Sequence, residues 1–84
     1  MVGLIHHIFL DWIEARGGIE AVSAVKRRAR VSKDKVFRLS EVYDDEEFQR
    51  LLGAGAEVLE MSQSRFEDEF AAVCFEDIRK RWPT

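Results

Sequence analysis

Cysteine, proline and tyrosine each occur once in the 84 residues, as Cys74, Pro83 and Tyr43. A lone cysteine excludes an internal disulfide, and a reducing, cytoplasmic setting is expected from it. Long apolar runs are also lacking: none approaches the ~18–20 residues of a membrane span. The apolar opening from Met1 to Leu10 carries no basic n-region and no small-residue cleavage site, so it does not read as a signal peptide. There is no excess of basic charge. Thirteen Lys and Arg stand against sixteen Asp and Glu, a net charge of −3, which argues against nucleic acid as the main partner. The sequence has no Ser/His/Asp arrangement, no phosphate-cradling glycine loop and no paired zinc-ligand motif, so a noncatalytic protein is expected. Internal repeats, low-complexity tracts and linkers are absent as well, which leaves residues 1–84 as one domain.

What is present has the balance of a folded chain, with 46% apolar and 35% charged residues. Leu4, Ile5, Ile8, Phe9, Trp12 and Ile13 recur at the spacing of one helix face. Gly17-Gly18 should stop that helix. A second begins near Ile19, with Ile19, Val22 and Val25 on one side, and runs into the basic stretch Lys26 to Lys35. Residues 31–43 follow neither period and read as a loop with a short turn. Asp44 or Asp45 then suits an N-cap, with Glu46 and Glu47 in the favourable first turn. Phe48, Leu51, Leu52, Val58 and Leu59 form the apolar face of this third helix. Its glycines, Gly53 and Gly55, suggest close packing against a neighbour. Ser62 caps a fourth helix whose stripe is Phe66, Phe70, Val73, Cys74, Ile78 and Trp82, with Pro83 as its stop. The expected fold is all-α, a small bundle of about four helices.

Three stretches carry a family resemblance. The opening Met1-Val2-Gly3-Leu4-Ile5 resembles the start of heme–nitric-oxide/oxygen-binding (H-NOX) sensor domains: Met, any residue, Gly and two aliphatics. The segment from Tyr43 through the acidic run to Leu51-Leu52-Gly53-Ala54-Gly55-Ala56-Glu57-Val58-Leu59 is similar to that family's Tyr, acidic run and Leu-Val-Gly-Ala-x-x-Glu-Val-Leu helix. Met61-Ser62 leading to Phe70 resembles its Ser-x-Glu-Glu-Leu-Leu-x-x-Phe-Gly. The order of the three spans the chain.

The resemblance implies the N-terminal helical subdomain of a bacterial-type gas sensor, which covers the distal face of a b-type heme. Binding of NO or another diatomic gas would be passed to a cyclase, kinase or other signalling protein. By the same resemblance Ile5 presses on the heme, Phe9 and Cys74 fall at distal hydrogen-bonding positions, and Phe75 lines the same pocket. Phe has no donor and a thiol is a weak one, so such a pocket favours NO over O₂. Departures from the pattern are specific. The chain has no Tyr-x-Ser-x-Arg motif and ends before the helix that carries the family's proximal His. Glu60 and Ala71 stand where the family has glycine. The alternative is a heme-free helical module that docks another protein or a second copy of itself.

Single residues also have plainer readings. His6 and His7 are ~100° apart on a helix and cannot share a pocket, so a surface or boundary pair is expected rather than a ligand pair. Cys74 fits a small buried hydrophobe, with a redox or ligating thiolate as the sharper alternative. Phe9, Trp12, Phe66, Phe70, Phe75 and Trp82 suit either a core or a porphyrin wall. The basic run from Lys26 to Lys35 reads as a solvated face, and the acidic clusters at Asp44–Glu47 and Glu67–Glu69 as helix starts rather than calcium sites.

Overall fold

A computed structural model describes residues 1–82. Pro83, the expected stop of the last helix, lies outside them. Three helices pack pairwise: α1 (Gly3–Arg28), α2 (Asp45–Val58) and α3 (Gln63–Arg81). α1 is broken at Gly18, whose φ of 78° and ψ of −178° are open to glycine at little cost. The break divides it into residues 3–17 and 19–28, so four helical segments build the bundle, as the sequence leads one to expect. Strands are absent among the described residues, apart from one isolated antiparallel bridge between Val2 and Val42.

The segment between α1 and α2 is irregular but anchored. No side chain caps the start of α1. Its first free N–H groups are met instead by this segment's carbonyls: Gly3 donates to Glu41 at 2.7 Å and Leu4 to Leu39 at 3.1 Å. Tyr43 returns a hydrogen bond to the Met1 carbonyl at 2.8 Å. The approach is so close that a Cβ on Gly3 would lie 1.7 Å from the Arg38 carbonyl oxygen. Phe37 and Val31 plug the segment into the core.

Asp44 caps α2, accepting from the Glu46 amide at 3.0 Å, and Ser62 caps α3, accepting from Arg65 at 3.2 Å. The ends of α1 and α2 share one device. Val31 donates to Lys26 and Arg30 to Arg27; Met61 donates to Ala56 and Glu60 to Glu57. Both are Schellman closures, which put the residue after the cap in the left-handed region. Arg30 and Glu60 take that role with φ of 62° and 57°. Glu60 is the position where glycine is the family habit, and the turn explains that habit.

The core is aromatic at its centre. Phe9 is fully buried and meets Phe48, Phe66 and Phe70 edge-on, with ring centroids 5.9, 5.9 and 5.5 Å away. Ile8, Ile13, Val22, Val25, Leu51 and Leu52 surround this cluster. Gly55 makes the packing possible: a Cβ there would stand 2.5 Å from the Phe66 ring and 3.1 Å from Phe9. Gly53 has only the tip of Gln63 nearby, at 3.9 Å, so its freedom serves no such contact.

Several expected contacts fail. Ile19 is 64% exposed, because the break at Gly18 turns it away from the face that buries Val22 and Val25. The apolar stripe of α3 is core only in its first half. Phe66 and Phe70 are buried and Val73 and Cys74 partly so, whereas Ile78 and Trp82 are 40% and 62% exposed. His6 is not at the surface: it is fully buried. The basic run is a largely solvated face tied down by ion pairs, Arg28 to Glu57 and Lys35 to Glu47.

Two substitutions on α2 should move stability in opposite directions in urea unfolding. Gly55→Ala forces a methyl into a filled space and should cost ~1–3 kcal/mol, whereas Gly53→Ala should gain up to ~1 kcal/mol of helix propensity. At the α2 closure, Glu60→Gly should raise stability by ~0.5–1 kcal/mol, since left-handed backbone costs an L-residue more than glycine's extra unfolded entropy does. An unchanged or lower midpoint for Glu60→Gly would contradict that account.

Candidate functional site

On one side of the bundle all three helices contribute to an open apolar groove of about 310 Å³. Met1 and Ile5 come from the α1 end, Phe48 and Leu52 from α2, and Phe70, Ala71 and Cys74 from α3, with Glu67 at the edge. Their spacing explains the convergence. Phe48 and Leu52 are one helical turn apart, as are Phe70 and Cys74, so each helix lays a short row of side chains along the groove.

Met1 is held in place by its own amino group, which lies 2.7 Å from both Asp45 Oδ1 and the Tyr43 carbonyl. That ammonium hydrogen bond lowers the Asp45 carboxyl below its usual range. On the α3 side, Arg65 and Arg16 converge on Glu69 at 2.8 and 3.1 Å, joining α1 to α3 and lowering the Glu69 carboxyl. Arg16 also covers the Trp12 ring, 5.8 Å from its centroid.

Ile5 and Cys74 are brought together as lining residues of the groove. Phe9 lies beneath it, sealed behind Phe48 and Phe70 rather than facing the opening. Phe75 is not a lining residue: it is 63% exposed, one position round the helix from Cys74, with the Arg79 guanidinium over its ring at 5.9 Å. Of the six aromatics that suit either core or cofactor wall, Phe9, Trp12, Phe66 and Phe70 pack on one another, and Phe75 and Trp82 stand outside. Cys74 is half-buried, and burial first, then the Asp77 carboxylate, pushes its pKa up to about 11. It is a thiol at neutral pH.

Sequence reasoning read His6 with His7 as a surface or boundary pair, and full burial corrects that for His6. Its signal was its spacing: His6, Phe9 and Ile13 are i, i+3 and i+7 on the face that proves fully buried. The imidazole stacks on Phe37 at 4.3 Å and meets Phe48 edge-on at 4.9 Å. His7 points elsewhere and donates through Nε2 to the Phe37 carbonyl.

Residues 2–84 match the family profile described as Haem-NO-binding, HNOB. The chain belongs to the Haem-NO-binding family. No curated protein sequence matches it.

Heme is a flat, mostly apolar ring whose iron requires an axial ligand. As a cover for one face of that ring, the groove of this HNOB domain fits: it is open, carbon-lined and built from three helices. It offers no free imidazole or thiolate to the iron. His6 is enclosed by aromatic rings, His7 is engaged by Phe37, and Cys74 holds its proton. Among the described residues no cluster of three or more His, Cys, Asp or Glu is placed to hold a metal. No described helix is long and apolar enough to cross a membrane.

The high Cys74 pKa has a direct chemical consequence, because only the thiolate is a nucleophile. Alkylation by iodoacetamide should be slow at pH 7–8 and should rise with pH towards about 11. A rate that levels off below pH 9 would show an activated cysteine instead.

Proposed function

We propose that this domain is a noncatalytic heme-dependent gas-sensing module whose groove covers the distal face of a b-type heme and favours NO over O₂. The observation that carries the reading is the three-helix apolar groove in a chain of the HNOB family, with Ile5 and Cys74 both in its lining. Heme, when bound, supplies the iron at which a diatomic gas is taken up. The chain's own residues exclude water and withhold hydrogen bonds. Ile5, Leu52 and Phe70 present only carbon to the opening. Phe9 has no donor, and Cys74 has only a weak S–H. A wall poor in donors gives little help to a polarised O₂, whereas NO needs little. The iron's axial histidine comes from outside the described residues in this reading. The resulting signal passes to a cyclase, kinase or similar protein.

One observation favours a second, heme-free reading. Phe75 and Ile78, one helical turn apart on the outer half of α3, and Trp82 at its C-cap are all exposed. Such a stripe suits docking to another protein or to a second copy.

Titration of the reduced chain with heme under anaerobic conditions separates the two, with and without imidazole as an external axial donor. The sensor reading expects a saturable one-to-one Soret shift, a further shift with NO, and little with O₂. Ile5→Glu should weaken heme binding about tenfold or more, since a buried charge costs well over the ~1.4 kcal/mol that tenfold represents. Val36→Glu, on the exposed loop away from the groove, should not. Unspecific broadening alone, equal in both variants, would overturn the heme reading and leave protein docking as the better account.

A further inference from the structure

A buried corner behind the groove holds two polar atoms without partners. His6 Nδ1 lies 3.3 Å from the Val2 carbonyl. A carbonyl can only accept, so Nδ1 carries the proton and Nε2 presents a lone pair. That Nε2 is buried and unpartnered, and so is Glu47 Oε1. The other Glu47 oxygen, Oε2, is 2.8 Å from Lys35 Nζ, in an ion pair that is itself largely shielded. Lys35 Nζ sits over Phe37 and Tyr43, 5.1 and 5.4 Å from their ring centroids. Both rings pack on His6, at 4.3 and 5.2 Å. The imidazole, the carboxylate and the ammonium thus belong to one cluster, in which α1, α2 and the loop between them each place one group.

Most of the other charges around this corner are paired. From the chain start, the Met1 ammonium is bound to Asp45. From the loop, the Tyr43 hydroxyl accepts from the Arg38 amide and donates to Glu41. On α1 itself, His7 is committed to the Phe37 carbonyl. Also on α1, Asp11 and Glu14 line a pocket together with Lys35 and Phe37. From α3, Phe70 packs on Phe48, and Glu67 lines the groove together with Met1 and Phe48. Glu47 is the carboxylate that both pairs with Lys35 and keeps a buried oxygen without a partner.

We propose that a proton taken up at His6 Nε2 draws Glu47 away from Lys35, and that this exchange of partners unlatches the loop of residues 29–44 from α1 and α2. The proton comes from solvent. The new Nε2–H donates to Glu47 Oε1, and the freed Lys35 ammonium returns to water. Arg50 of α2 still donates to the Ala29 carbonyl at the start of the loop, but with the ion pair at Lys35 gone the far part loosens at the bonds that seat it: Gly3 to Glu41, Leu4 to Leu39 and Tyr43 to Met1. Phe48 carries the change to the groove, since its ring touches His6 and also lines the opening. The latch does not depend on heme.

The sign follows from the surroundings. Burial holds the His6 pKa below its ordinary value, and the Met1 and Lys35 ammoniums add to that while Glu47 opposes it. The folded form then resists protonation more than the unfolded chain does. The stability contributed by neutral His6 is complete above ~6.5 and is lost as pH falls through the lowered folded value.

Imidazole ¹³C shifts and amide hydrogen exchange, corrected for intrinsic rates, test the exchange of partners. Between pH 7 and pH 5, opening at the Gly3, Leu4 and Tyr43 amides should rise about tenfold, with the amides of α3 unaffected. Three variants should behave differently. His6→Phe should keep these amides closed at both pH values. Glu47→Gln should lower the His6 midpoint and leave the loop open at both. Lys35→Met should raise the midpoint, because a competing cation is gone, while again opening the loop. Loop protection independent of pH in the natural chain would overturn the proposal. So would an unchanged His6 midpoint in both Glu47→Gln and Lys35→Met, both of which alter groups at the edge of the fold rather than its centre.

Discussion

The whole bundle depends on how closely α2 can approach α1 and α3. That distance is set by Gly55. With hydrogen in place of a side chain, the Phe66 ring and the end of Phe9 lie where a methyl would have been. Phe9 can then be touched edge-on by three other rings, each partner drawn from α2 or α3. A domain of this size has little core to spare, so one aromatic cluster shared by all three helices does much of the work of burial. The groove is a consequence. Phe48 and Phe70 are fixed by their contacts with Phe9, and their outward faces become its floor.

The second constraint is the docking of the loop on the start of α1. A helix whose first N–H groups lack a capping side chain needs acceptors from elsewhere. Here the backbone of the loop provides them, and it fits only because residue 3 has no Cβ. The Met-x-Gly opening thus has a mechanical sense in this chain: glycine admits the loop, and Met1 reaches across to Asp45 and the groove. The aromatic box of Phe37, Tyr43, Phe48 and His6 grows out of the same docking, and it places a titratable group where water is excluded.

Much of this was legible in the sequence because it is local. Apolar spacing marked the helices, Asp44 and Ser62 marked two starts, and Gly17-Gly18 marked the break in α1. The lone match of order and spacing was enough to indicate the family. What was illegible is set by long-range contact. Periodicity could not tell that the outer half of the α3 stripe runs past its neighbours, so Ile78 and Trp82 looked like core. It could not show that Phe9 lies under the groove while Ile5 lines it, since both share one face of α1. Polarity concealed His6: an imidazole reads as surface until Phe37, 31 positions away, stacks on it.

Glu60 and Ala71 show why a departure from a family pattern has to be read at its own position. At Glu60 the chain keeps the helix closure and bears a left-handed side chain, so the departure costs stability and leaves the architecture intact. At Ala71 the added methyl stands in the groove lining, where it narrows the space that a ligand would share with Ile5 and Cys74. The first change concerns folding and the second concerns the site, although in the sequence both are simply a missing glycine. In the proposed heme-covering role, a groove with that extra methyl and few donors would be shaped by exclusion, and selectivity among small diatomic ligands would depend on what this wall does not offer them.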